Sequence, residues 1–168
     1  RHSLDMKFLA RASDELAALS EVQVTLDKIA RLAVPDFADY CAVDLLEPGG
    51  VLRRVAAVHA NPHRQAQVEA MHRQFPPNRR TRGGTWHVLT TGRPQLVSRV
   101  TREILERAID SGRRRDALQA LGLHSYIAAP LSAQGEVLGV ITFATTADGP
   151  SGRTYGEADL SLAVDLAR

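Results

Sequence analysis

Cys41 is the only cysteine in 168 residues. Alone it closes no intramolecular disulfide, and it supplies neither a thiolate metal site nor the resolving thiols of cysteine redox chemistry. A reducing, cytoplasmic setting follows by default. Long apolar runs are also missing: residues 126–131 and 137–144 are the longest, well short of the ~20 residues that span a bilayer as a helix. No membrane contact by this segment is expected.

Aromatic residues make up only 5% of the chain, and none lies within the arginine clusters at 79–82 and 113–115. Nucleic-acid binding calls for basic clusters interleaved with stacking aromatics, and a net charge of +2 gives a weak field for steering phosphates. Nucleic acid is therefore not an expected partner. Lysine is scarce, with Lys7 and Lys28 the only two among 21 basic residues, which fits a compositional bias toward arginine. The chain begins Arg1-His2-Ser3-Leu4, without an initiator Met or an apolar signal core, and it ends within a helical pattern. A segment of a longer protein is the expectation.

What is present suits one globular domain over 1–168: 44% hydrophobic and 24% charged residues can build a sizeable core. Leu4, Phe8, Ala12, Leu16 and Leu19 recur at helical spacing opposite Arg11, Asp14 and Glu15. Residues 1–20 are expected to form one helix and 24–34 a second, with Ser20 in the cap region between them and Pro35 as the stop. The period then changes to that of strands over 40–46 and 51–60, joined by the turn Glu47-Pro48-Gly49-Gly50. Pro62 opens a helix to Gln74, 78–84 reads as a loop, and Thr85 to Thr91 is a helix closed by Gly92. A short strand over 93–97, helices over 101–108 and 113–121, and a hairpin of 123–131 with 136–145 follow. Both arms of this hairpin are apolar at nearly every position from Tyr126 onward, as in strands covered on both faces. Residues 154–168 form a last helix, capped by Thr154 or Ser151. Helices interleaved with hairpins define an α+β class, an antiparallel sheet with helices packed on it.

Four stretches carry a resemblance to a known family. They are residues 29–44 (IARLAVPDFADYCAVD), 89–97 (LTTGRPQLV), 121–131 (LGLHSYIAAPL) and 135–143 (GEVLGVITF). The pattern resembles the GAF domains of bacterial multidomain signalling proteins, in the version that precedes histidine kinase or phosphatase effectors. The resemblance implies a five- to six-stranded sheet of order 2-1-5-4-3, with N- and C-terminal helices adjacent. It also implies a sensory role in a two-component system rather than catalysis, with a small-molecule pocket between the sheet and the helices that cross it. The ligand and any cofactor stay unspecified.

In that pocket the loop 79–85 and the helix after it, with Trp86 and Leu89, would close one side. His59, His124, Tyr126 and Thr142 would supply polar contacts, and Arg80 or Arg82 would sit beside a Gly83-Gly84-Thr85 helix start able to take an anion. The alternative is that Trp86, Leu89 and Phe143 simply fill the core.

Six histidines raise the question of a metal or haem. His59 and His63 are four apart but are separated by Asn61-Pro62, which puts them on a strand end and a helix start, and no HExxH or Cys/His pairing occurs. Metal and catalytic residues are expected to be absent. The methionine sulfoxide reductase branch of the family needs several cysteines, the bilin-binding branch a Cys-His pair, and the cyclic-nucleotide branch an Asn-Lys-Phe-Asp-Glu signature; none is present.

Residues 1–20 and 154–168 would act as signalling helices. Leu4, Phe8, Leu16 and Leu19 at one end, and Tyr155, Leu162 and Leu166 at the other, would pair two copies as a homodimer and connect to an effector domain in the same chain. Two functions stand open: a ligand-sensing regulatory module, or a structural dimerisation and transmission module without a ligand.

Overall fold

The computed structural model describes residues 2–75, 84–108, 112–133 and 135–167, and their side chains apart from those of 2–5, 15–20 and 108. In chain order come α1 (His2–Ala33), β1 (Tyr40–Leu46), β2 (Leu52–His59), α2 (Pro62–Gln74), α3 (Thr85–Thr91), β3 (Gln95–Val97), α4 (Arg102–Ala108), α5 (Gly112–Ala120), β4 (Leu123–Ala133), β5 (Glu136–Thr146) and α6 (Glu157–Leu166). The strands form one antiparallel sheet in the order β2-β1-β5-β4-β3. This is the order that the family resemblance implies. The apolar hairpin β4–β5 occupies the middle of the sheet, where both strand faces are covered and water is excluded from them.

Strand alternation divides the sheet into two unlike faces. One face carries the row Val58, Cys41, Phe143, Ile127, Leu96 and the row Ala56, Val43, Ile141, Ala129. Leu26, Ala30 and Ala33 of α1 and Leu160, Ala163 and Ala167 at the chain end pack on it as one hydrophobic core. Phe37 stands edge-on to Phe143, with centroids 5.1 Å apart, and Tyr155 lies against Phe37 at 5.2 Å. The terminal helices thus share one face of the sheet. The other face carries Ala42, Thr142, Ala128 and Ala144, small residues that leave depth beneath α2, α3, α4 and α5.

α1 is one continuous helix, where two helices divided near Ser20 were expected. No Gly or Pro stands between His2 and Ala33, and a serine or a valine inside a helix costs only about 0.5 kcal/mol, too little to break it. At 1.5 Å per residue the helix is roughly 48 Å long, and its last third is held on the sheet through Leu26, Ala30 and Ala33. Met6, Phe8 and Leu9 are all more than half exposed.

α6 starts at Glu157, three residues later than expected. Its N-terminal cap is Gly156, whose N–H donates to the Asp159 carboxylate at 2.9 Å. Neither expected cap serves: Ser151 Oγ donates to Asp39, and Thr154 Oγ bonds to His124 Nε2. Tyr155 explains the delay. Its backbone N–H donates to Ser125 Oγ and its phenol to the Phe37 carbonyl, which hold the preceding segment extended and bury the ring. Tyr155 is therefore a core residue and does not belong to the exposed stripe of Leu162 and Leu166.

Candidate ligand-binding site

Two adjacent rows of side chains build the floor of a cavity on the face away from α1 and α6. The first row runs His59, Tyr40, Ala144, Tyr126 and Val97, and the second Ala57, Ala42, Thr142, Ala128 and Gln95. In the first row two phenols flank the single methyl of Ala144, so a notch one strand wide opens between rings whose backbones lie roughly 10 Å apart. The cavity measures about 200 Å³. Val68, Met71 and Phe75 of α2 and its flank, Trp86 of α3, Ile104 and Leu105 of α4, and Leu118 of α5 wall it. The local sequence explains these helices: Asn61 Oδ1 caps α2 by accepting from His63 N–H, Pro62 fits its first turn, and Gly92 closes α3 at φ 68°.

His59, Trp86, Tyr126 and Thr142, expected near a ligand from sequence, all stand on this wall. Leu89 and His124 do not. Leu89 packs with Val88, Ala128, Val140 and Tyr126 in a separate apolar cluster beside the cavity. His124 sits at an irregularity in β4, where the register shifts between Leu123 and Ser125, and its ring turns to Thr154 at 2.8 Å. Arg80 and Arg82, and with them the glycine-rich anion site, lie outside the described residues. Phe143 belongs to the opposite face and contributes nothing to the cavity.

Tyr40, Arg54, His72 and Arg114 were missed from the sequence, and they give the wall its polar character. Arg54 binds Asp44 through Nε and Nη2, and the Asp44 side chain is fully buried. Burial pushes the Tyr40 phenol up to about 12, against an opposing pull from Arg54, and burial takes Tyr126 to about 12 as well. His72 is held below its usual value first by burial, then by Arg54, with Arg114 acting in the same direction and Asp44 against it. Burial and Arg64 lower His59 likewise, and its Nδ1 accepts from Asn61 N–H, so the neutral ring carries its proton on Nε2. Cys41 points to the opposite face, where burial lifts its thiol to about 12. Among the described residues no group of three or more His, Cys, Asp or Glu could hold a metal ion. His63 lies on α2, away from His59 at the end of β2.

The GAF domain model matches residues 21–168, and the chain belongs to the GAF family. That match begins where α1 reaches the sheet. Among solved structures, the chain is similar to the GAF domain region of a Geobacter sulfurreducens PCA protein, with 18% identity, a TM-score of 0.65, and 92% of this chain and 93% of that one covered. It is also similar to a domain of a protein named as a two-component sensor histidine kinase from Sinorhizobium meliloti 1021, with 19% identity, a TM-score of 0.53 and coverages of 89% and 85%. A type II free methionine-R-sulfoxide reductase from Thermoplasma acidophilum matches at 14% identity and a TM-score of 0.59, with 89% of each chain covered. At these identities the likeness establishes the fold. No curated protein matches the chain. GAF domains are sensory and regulatory modules of signalling proteins, and no described helix is long and apolar enough to cross a membrane.

Proposed function

We propose that this GAF domain is a non-catalytic receptor module: a small molecule enters the cavity above Ala42, Ala128, Thr142 and Ala144, and the terminal helices relay its arrival to an effector such as a histidine kinase. The observation that carries this reading is the division of β5. Thr142 faces the cavity, while its neighbours Ile141 and Phe143 face the core that α1 and α6 share. A ligand that shifts β5 by a fraction of an ångström must repack Phe143 against Phe37 and Tyr155, because a close-packed core does not deform continuously. The terminal helices then respond to any ligand that prefers one arrangement over the other.

Two copies pair through α1, whose exposed Phe8 and Leu9 lie beyond the sheet, and Leu162 and Leu166 extend the apolar surface at the other end. The lone buried thiol supports a cytoplasmic setting. A thermal-shift screen of metabolites tests the receptor role, since a ligand that binds only the folded state raises its stability. Stabilisation by one chemical class is expected. If no compound stabilises the protein and cavity-filling substitutions leave it unchanged, the module is a structural dimerisation and transmission element. Sedimentation of the protein and of Phe8→Glu/Leu9→Glu tests the pairing; an unchanged mass for the double variant would remove α1 as the dimer contact.

A further inference from the structure

The reading of the cavity as a receptor site leaves its ligand unnamed, and the inference here rests on that reading. The fixed charges of the wall are one-sided, two arginines beside two histidines whose neutral form burial favours. Arg54, Arg114, His59 and His72 line it, and among the described residues no Asp or Glu does. Asp44 stands behind Arg54 as its partner and is not on the wall. That pairing uses two of the five N–H groups of the guanidinium. The Tyr40 hydroxyl is buried, and no group stands in hydrogen-bond geometry to accept its proton; its neighbour Arg54 is a guanidinium, which donates and cannot accept. A buried hydroxyl without a partner is costly and rare in a native fold, and it calls for an acceptor. His72 feels both Arg54 and Arg114, so Tyr40 of β1, Arg54 of β2, His72 of α2 and Arg114 of α5 converge on one end of the cavity.

The remainder is apolar. Trp86, Met71, Phe75 and Leu118 stand over a flat floor of alanines. The size is informative, because a dry apolar cavity of about 150 Å³ accommodates one benzene ring. The volume of about 200 Å³ leaves room for one ring and a small polar group. Drug-sized ligands use pockets of roughly 300–1,000 Å³.

We propose that the cavity binds a one-ring aromatic carboxylate. Its ring lies between Trp86 and the Ala42–Ala144 floor, and its carboxylate accepts from Tyr40, His72 and the two arginines. A carboxylate offers acceptors alone, whereas an amide of the same shape turns an NH2 group toward donors and an amine adds a like charge.

Trp86 is the only tryptophan in the chain, so its emission reports occupancy directly. Benzoate, benzamide, benzylamine and formate are titrated against the protein, with Trp86 fluorescence and melting temperature as readouts. Benzoate is expected to bind at least about tenfold more tightly than benzamide, with benzylamine and formate weaker still. Tyr40→Phe removes a hydroxyl whose proton has no acceptor and should fold about as well as the parent. It is expected to weaken benzoate about five- to tenfold and to leave benzamide unchanged. Arg114→Met should also remove the preference for the acid. Benzamide or benzylamine matching benzoate while Trp86 responds would overturn the anionic class and leave the receptor reading standing, and formate matching benzoate would overturn the aromatic class. If no aryl probe moves either Trp86 emission or the melting temperature, the aromatic carboxylate is overturned, while the receptor reading stands or falls separately on the metabolite screen and the cavity-filling substitutions.

Discussion

Asp44 and Arg54 are joined across β1 and β2 by two hydrogen bonds, Nε to Oδ1 at 3.1 Å and Nη2 to Oδ2 at 3.3 Å, immediately after the register shift between Val43 and Asp44. The Asp44 side chain is fully buried and that of Arg54 is 20% exposed. Breaking such a pair strands a charge in a poorly solvated site at a cost of about 3–5 kcal/mol, whereas replacing both partners with apolar groups is often neutral. Asp44→Ala is therefore expected to lower the unfolding free energy by about 3–5 kcal/mol in urea titrations, and Asp44→Leu/Arg54→Met to recover most of that. Equal losses in the single and double variants would show that the pair is not what matters there.

Asp39 ties the segment after β5 to the start of β1. Its carboxylate accepts from Thr146 N–H, Ser151 N–H and Ser151 Oγ, each at 2.9 Å, and it is completely buried. Hydrogen bonds to a charged group contribute about 1.5–3 kcal/mol each, so Asp39→Ala should cost at least about 3 kcal/mol. Gly149 is held by the same carboxylate, because a Cβ there would overlap the Asp39 side chain. Gly149→Ala is expected to destabilise by about 1–3 kcal/mol. Amide exchange at Thr146 and Ser151 should accelerate in both variants, and unchanged protection would show that the loop is held by other contacts.

Much of this arrangement is legible in the sequence, for identifiable reasons. The bounds of β1, α2 and α3 follow from a period change, from Pro62 and from Gly92, which are local signals. The sidedness of the sheet is also written there: large and small residues alternate through Ile141-Thr142-Phe143-Ala144. Periodicity says which way a side chain points, and it says nothing of what lies opposite. Arg114, His72 and Leu118 reach the cavity from helices whose docking depends on the whole fold, so the sequence hides them. His124 is two residues from Tyr126 and by alternation should share its face, but the irregularity in β4 turns it away. Thr154 looks like a helix cap until the burial of Tyr155 claims the backbone around it.

High pH provides a third test. Tyr40 and Tyr126 titrate at about 12 in the folded protein against an ordinary 10.0, because burial disfavours the phenolate. Between those values the unfolded chain has lost protons that the folded one keeps, so stability falls as pH rises. The contribution is intact below pH 10 and is lost on the way to pH 12, amounting to about 2–3 kcal/mol per phenol. Absorbance at 295 nm should show little tyrosinate at pH 10.5 in the folded state, and Tyr40→Phe should flatten the decline in the denaturant midpoint. Cys41, also raised to about 12 by burial, should resist a thiol reagent at about pH 8 until the protein unfolds. Rapid labelling of the native protein would contradict its place in the core.

Thr142 and Phe143 separate the two faces of β5, and substitutions at them should have opposite signatures. Thr142→Leu adds bulk to the half-buried cavity floor beside Ala42 and Ala128. Overpacking is relieved by the empty space above it, so stability should change by no more than about 1 kcal/mol. Ligand-induced change in Trp86 emission should disappear, because the added side chain occupies the volume that a ring would fill. Phe143→Ala removes a fully buried ring from the core beneath α1 and α6 and should cost about 3–5 kcal/mol. Where that variant still folds, a ligand should continue to perturb Trp86 while the response of the terminal helices, read by amide exchange in residues 26–33 and 157–166, is lost. If Thr142→Leu leaves ligand binding intact, the cavity floor is not the receptor surface.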